Sequence, residues 1–377
     1  MGVTLLVEPD PGGHRFQSVA ALARVAGETS DVVLLTSRGA RERDEYATQL
    51  GDVELEVVEC FDEIVPPTRA YAAAIAEQCR SRDVDQAVLL DADQALKKWW
   101  LVAAQEFRGL PRRPRITFML TRYPARLTLS DRVGLKMRVT KAGLALAAMA
   151  TRTVDRVVGY AGREDMAPGL VVKRVRDFAL CTAHSRDRAA LRAELGLPAS
   201  DTLVGIFGVI SARKFAPLVL DAIVDAGLDA KLLLGGKVFP ETAEWLAALP
   251  EDLSARVIVR DGFHPDDVLD KLVAASDVVA LAMTNNGPSG IMGKAWAAGV
   301  PVVTAGSLVR AREVEGTGNG TSAELTVASF GAGLRRVLAR DWDESSRHDN
   351  VPIPTQRDYA AVLLGLDLRA APDRVPG

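Results

Sequence analysis

The sequence predicts an α/β chain built from two doubly wound, parallel-sheet domains, and three observations carry that expectation. The strand-like segments are short continuous apolar runs rather than alternating ones, which is how strands covered on both faces read. Segments with helical spacing separate them. The alternation runs through the first half, breaks, and restarts in the second. A length of 377 residues favours two domains over one or four.

Each element follows from local chemistry. Val3 to Val7 is an apolar run closed by Pro9, Pro11, Gly12 and Gly13, a buried strand ending in a glycine turn. Phe16 to Val25 has helical spacing. Val32 to Thr36 and Val53 to Val58 read as strands, Tyr71 to Arg80 as a helix, and Ala87 to Leu90 and Ile116 to Leu120 as further strands. Arg186 to Leu195 is a helix closed by Gly196-Leu-Pro, and the second series begins there. Its strands are Leu203 to Phe207, Lys231 to Leu234, Val257 to Val259, Val278 to Leu281 and Val300 to Thr304. Its helices are Ala216 to Ala226, Glu241 to Leu249, Pro265 to Ala275 and Ile291 to Ala298. The expected domains are 1–185 and 186–345, two Rossmann-like units facing a cleft. A C-terminal segment, 346–377, contains one more helix, about Thr355 to Leu366, which by its sequence could pack on either domain.

Composition excludes several classes. The chain is 48% hydrophobic and 25% charged, ordinary for a globular protein, which rules out a disordered or fibrous chain. The 46 basic and 49 acidic residues give a net charge of -3, against the basic excess of a duplex nucleic-acid binder. Cys60, Cys79 and Cys181 are scattered and form no CxxC pair, so neither a disulfide framework nor a zinc knuckle is expected, and a reducing cytoplasm is the simplest compartment. The N-terminus lacks a basic n-region and reads as a strand. Ala142 to Ala150, the best membrane candidate, is far short of the roughly 20 apolar residues that a span needs.

The Gly-rich segment Thr284-Asn-Asn-Gly-Pro-Ser-Gly-Ile-Met-Gly-Lys-Ala-Trp-Ala-Ala-Gly-Val-Pro carries the strongest chemical signal. A strand leads into a loop of small residues that opens a helix near Ile291. Free N–H groups and a partial positive charge at a helix start suit an anion, and small residues let a diphosphate approach the backbone. It is not a P-loop: five residues separate Gly287 from Gly293, and Ala295 stands where Ser or Thr is required.

In order and spacing, the second half resembles the GT-B glycosyltransferases, in particular the retaining group called family 4. The pieces are Arg192-Ala-Glu-Leu-Gly-Leu-Pro, Val204-Gly-Ile-Phe-Gly-Val-Ile-Ser-Ala-Arg-Lys, Lys231-Leu-Leu-Leu-Gly-Gly, Val259-Arg-Asp-Gly-Phe-His, Ala275-Ser-Asp-Val-Val-Ala and the Pro-Ser-Gly helix ending in Ala-Gly-Val-Pro-Val-Val. The family's two glutamates, eight positions apart, are replaced by Asn286 and Lys294. Its Gly-Arg-x4-Lys motif begins Gly208-Val209 and keeps Lys214, with Arg213 beside it. The chain looks closer to a subset with a Ser-Gly-type loop and no second glutamate. In the first half, Pro11-Gly-Gly-His resembles the glycine loop that approaches the donor.

The resemblance implies transfer of a sugar from a nucleotide-diphosphate sugar to an acceptor hydroxyl, with retention and without a metal or other cofactor. Such a site must orient two substrates and stabilise charge on the departing phosphate. It implies catalytic roles for Lys214, Arg213 and His14. It implies donor contacts at Gly12, Gly13, Gly208, Gly235, Gly236, Asn286, Pro288, Ser289, Gly290, Ile291 and Lys294. Gly12-Gly13 also fits a plain strand-to-helix turn, His14 a surface cap, and Lys294 a helix-surface lysine. Asp91-Ala-Asp93 spells the metal motif of the other glycosyltransferase fold and reads here as chance or acceptor-facing. The basic stretch of Arg122, Arg126, Arg132, Lys136, Arg138 and Lys141 reads as a solvated face or a weak membrane-surface contact. The acceptor stays open among small molecules, lipid carriers and glycans. Two alternatives stay open: a GT-B protein that binds a nucleotide or partner without transfer, and a two-lobed sugar-binding protein.

Overall fold

The computed structural model describes residues 2–12, 15–125, 127, 131–165, 167–285, 287, 289–340 and 353–366. The chain divides into two compact units. The first comprises residues up to Ala161, part of 166–176, and the stretch from Pro354 to the last described residue, Leu366. The second comprises Gly162–Asp165 and Asp177–Ile353.

The first unit holds a seven-stranded sheet of β1 (Val3–Val7), β2 (Asp31–Ser37), β3 (Glu56–Phe61), β4 (Val84–Leu89), β5 (Arg115–Leu120), β6 (Arg156–Ala161) and β7 (Lys173–Arg176). The strand order is β3-β2-β1-β4-β5-β6-β7, and every pair is parallel. The second holds β8 (Thr202–Phe207), β9 (Ala230–Gly236), β10 (Val257–Asp261), β11 (Val278–Ala282), β12 (Val302–Ala305) and β13 (Gly320–Ala323) in the order β10-β9-β8-β11-β12-β13, again all parallel. Both are doubly wound. Strand order reverses between β1 and β4 and between β8 and β11, and ligands of such sheets bind beyond the carboxyl ends of the strands at that reversal.

The central strands are the apolar runs the sequence marks, because helices cover both faces: β1 and β11 are buried along their whole length. The strands missing from the sequence reading, β6, β7 and β13, lie at or next to sheet edges. There a strand needs only one buried side or carries charge, as Lys-Arg-Val-Arg in β7 and Gly-Thr-Ser-Ala in β13 do. The helices Arg132–Ala150, Leu308–Thr317 and Val327–Leu338 are also absent from that reading.

The division between units departs from the expected boundary at 185/186. Residues 177–185 belong with the second unit because buried polar bonds tie them there. The Thr182 backbone N–H and hydroxyl both donate to Asp270, and Ser185 N donates to the Ala298 carbonyl. Arg163 of the short return segment is fully buried, and its backbone N–H donates to Glu313 Oε1 at 2.6 Å. Nothing in a periodicity of apolar residues registers such contacts.

The C-terminal helix Gln356–Leu364 packs on the helix Arg15–Ala26 and on β5 and β7, burying Tyr359, Leu363 and Leu364. A capping box at Thr355 and Asp358 starts it. Gly365 ends it at φ 75°, where a Cβ would meet the Arg156 guanidinium, whose Nη1 donates to the Val362 carbonyl at 2.7 Å. Replacing Leu363 by Ala should destabilise the first unit by about 2–5 kcal/mol through lost burial and a residual cavity. Native-state hydrogen exchange checks this: faster exchange is expected in β5, β7 and the helix Arg15–Ala26, with β8 to β12 unchanged.

Candidate functional site

In the second unit the reversal point is formed by the ends of β8, β9 and β11. Gly208 turns at φ 90° and its N–H donates to the Gly235 carbonyl at 3.0 Å. Gly236 has φ 142°, and a Cβ there would stand 1.9 Å from the Gly208 oxygen. The two strand ends meet backbone to backbone, which only glycine permits. The chain then forms a short turn, Ala212–Lys214, which packs against β11, and enters the helix Ala216–Asp225 through Phe215 at φ 49°, a strained conformation for a bulky residue.

Lys214 is half-buried, and among the described residues its ammonium has no hydrogen-bond or ion-pair partner. Burial, then the charges of Arg310 and Arg213, push it down to about 8. Among the described residues no carboxylate acts on it. Ser211, beside it in the loop, is buried with its Oγ unbonded.

The loop after β11 is held from inside by Arg310, a fully buried residue of the helix Leu308–Thr317. Its Nη1 donates to the Asn285 carbonyl at 3.0 Å and the Gly287 carbonyl at 3.3 Å, and its Nη2 to the Met283 carbonyl at 2.5 Å. Burial lowers its pKa to about 10. The helix Gly290–Ala297 follows, with Ser289 as N-cap: its Oγ accepts from Met292 N at 3.3 Å. Gly290 is exposed, and the space a Cβ would occupy there is empty.

The first unit offers a different chemistry at its own reversal point. Glu8, at the end of β1, is buried; it accepts from Asp10 N at 3.1 Å and lies 3.4 Å from Arg15 Nη1. Arg15 also donates to Asp91 Oδ2 at 2.9 Å and pairs through Nε with Asp10 at 3.1 Å. Asp10 in turn accepts from Gly12 N at 2.9 Å, which fixes the start of the glycine loop. Asp93 accepts from Thr121 Oγ1, Arg122 N and Lys141 Nζ. Both aspartates of the Asp-Ala-Asp motif are therefore committed to protein donors. Among the described residues no His, Cys, Asp and Glu side chains form a metal-binding group. Desolvation raises Glu8 to about 8, outweighing the opposing effect of Arg15.

The structure thus brings together Gly208, Arg213, Lys214, Gly235 and Gly236 on the ends of β8 and β9. It sets Ser289, Gly290 and Ile291 at the helix start beyond β11. Gly12 lies at the reversal point of the other sheet. Lys294 has a different partner from the one expected: it is buried, its ammonium donates to Asp270 Oδ1 at 2.5 Å and lies 3.6 Å from Asp266. Gly13, His14, Asn286 and Pro288, like Arg126 of the basic stretch, lie outside the described residues. Sequence reasoning missed Arg310, Ser211 and Glu8. Arg310 and Glu313 sit on the buried side of a helix whose charges erase its apolar periodicity. Glu8 could have been suspected, since a lone carboxylate directly after a buried strand points to the sheet's ligand edge.

No protein-family model and no curated protein matches the sequence. Solved structures do match the fold. A glycosyltransferase from Rickettsia africae aligns at a TM-score of 0.66 and 11% identity, covering 97% of each chain. Anabaena HepE in complex with UDP aligns at 0.60 and 16% identity, over 97% of this chain and 95% of that one. The catalytic domain of Arabidopsis thaliana starch synthase IV, bound to ADP and acarbose, aligns at 0.60 and 13%, over 96% and 95%. The chain has the GT-B fold. Its two Rossmann-like units correspond to the two sheets described above.

Burial makes Glu8 a costly carboxyl of the first unit. Its folded pKa of about 8 exceeds the ordinary 4.5, so the folded state holds a proton that the unfolded chain has released. Stability should therefore fall as pH rises from about 4.5 to 8, a cost of about 3 kcal/mol at pH 7. Glu8→Gln should be more stable than the parent at pH 7 by about that amount and equal to it near pH 4. Urea unfolding at the two pH values measures the difference.

Proposed function

We propose that this protein transfers a sugar from a nucleotide-diphosphate sugar to an acceptor hydroxyl with retention of configuration, and that it does so without a metal ion. The observation that carries the reading is the uncompensated Lys214 ammonium, set with Arg213 and Arg310 at the strand reversal of the second sheet. An ammonium on which no carboxylate acts is stable at such an edge when an anion completes it. The fold is also found in proteins solved with UDP and with ADP, both nucleoside diphosphates.

On this reading the donor diphosphate lies against the loop and helix start at Ser289 and Gly290, whose free N–H groups face it. Lys214 and Arg213 approach from the end of β8. As the bond to the sugar breaks, the leaving phosphate gains charge, and the ammonium, already desolvated, stabilises it without reorganisation. The Gly208–Gly236 contact lets the backbone come close to the donor. Arg310 acts at one remove, fixing the carbonyls of 283–287 so that the loop keeps its shape.

One observation favours a second reading, nucleotide binding without transfer. At the place of the family's second glutamate stands Lys294, held by Asp270. A thermal-shift panel of nucleoside diphosphates together with a donor-hydrolysis assay separates the two. Stabilisation with turnover supports transfer; stabilisation without turnover supports the second reading.

Lys214→Ala should lower turnover a few-hundred-fold, about 3 kcal/mol, with a smaller effect on donor affinity. Near-normal turnover in the folded variant would remove Lys214 from the mechanism, and complete loss of activity in a chelator would remove metal independence. Because a diphosphate binds the protonated ammonium, affinity for it should weaken as pH rises through about 8, and Lys214→Ala should flatten that dependence; isothermal titration at pH 7 and 9 measures both. Gly290→Val has room in the free protein, so it should fold normally yet weaken donor binding at least tenfold, read by the same titration.

A further inference from the structure

The helix Arg132–Ala150 is 19 residues long and carries four cations, Arg132, Lys136, Arg138 and Lys141, and no carboxylate. It buries Gly134, Ala145 and Ala148. About a third of a turn around the helix Leu135, Val139, Ala142 and Leu146 recur at the spacing of one stripe, and Leu135, Val139 and Leu146 are exposed. Val133 and Val139 are 74% and 64% exposed.

The cations divide by role. Lys141 donates to Asp93, and Arg138 stacks over the Tyr123 ring at 5.7 Å. Arg132 and Lys136 flank the stripe in solvent, with no carboxylate partner among the described residues. Asp131 is occupied as the N-cap, accepting from Gly134 N.

A neighbouring element carries further exposed apolar residues. The helix Trp99–Glu106 and the turn Ala95–Lys97 pack against this helix. They expose Trp100 and Leu101, with Lys97 and Lys98 beside them, while Trp99 is buried and donates its Nε1–H to the Thr153 carbonyl. Glu106, at the far end, pairs with Arg69. Seven of the sixteen exposed large apolar side chains among the described residues lie on these two helices. Scattered apolar residues need no explanation, but such a concentration among unpaired cations does.

We propose that this face of the first unit docks on an anionic lipid bilayer, lying in the interface rather than crossing it. Exposed aliphatic side chains and a tryptophan can enter the headgroup boundary while lysine and arginine meet lipid phosphate. No described helix is long and apolar enough to span a membrane. A second copy of the chain is the poorer occupant, because two such faces set Arg132 and Lys136 against like charges with no carboxylate to answer them.

Co-sedimentation of the full chain with vesicles tests this. Binding is expected to phosphatidylcholine vesicles containing phosphatidylglycerol, not to phosphatidylcholine alone, and should weaken in high salt. Arg132→Gln with Lys136→Gln should lower the partition constant about 25-fold, about fivefold for each cation near an anionic surface. Leu135→Asn with Val139→Asn should lower it further. Absence of binding to the anionic vesicles overturns the proposal, as does equal binding to both compositions or an unchanged constant in the glutamine pair. So does a solution dimer that the asparagine pair dissolves while vesicle binding persists. The comparison of the two vesicle compositions with the unaltered chain decides the question even if a variant fails to fold.

Discussion

The guanidinium of Arg310 can remain in the interior of the second unit only by donating to the carbonyls of Met283, Asn285 and Gly287. A buried cation without such partners would be too costly to keep. The exchange works in both directions. The loop after β11 has backbone oxygens that no strand or helix satisfies, and Arg310 supplies their donors. The loop shape, the start of the helix Gly290–Ala297 and the electrostatic setting of Lys214 all follow from this one placement. Glu313, one turn further along the same helix, adds a compensating negative charge.

The first unit solves the same topological problem with the opposite charge. Arg15 lies among Glu8, Asp10 and Asp91, so the strand reversal there is rich in acceptors, where that of the second unit is rich in cations. Two sheets of the same winding therefore gather opposite groups at equivalent edges: cations in the second, carboxyls around one arginine in the first. On the proposed reading this difference separates a donor side from an acceptor side without a change of fold.

The ion pair of Lys294 with Asp270 ties two segments of the second unit together. Asp270 also accepts from Thr182, so the pair fastens residues 177–185 to the second unit while it holds the underside of the Gly-rich helix.

The sequence by itself determined the fold class and most of the central strands. Strands covered on both faces must be continuously apolar, and that pattern survives in the chain without its structure. It also put Gly208, Gly235 and Gly236 at strand ends, Lys214 before a helix and Ser289-Gly290 at a helix start, because glycines at strand ends and a cation before a helix are local signals. The tertiary structure decided the rest. Edge strands such as β7 need no apolar run, and the assignment of residues 177–185 depends on hydrogen bonds to side chains some 90 positions away. Arg310 and Glu8 owe their importance to burial, which is a property of the packed chain and leaves no periodic trace when the buried residue is charged.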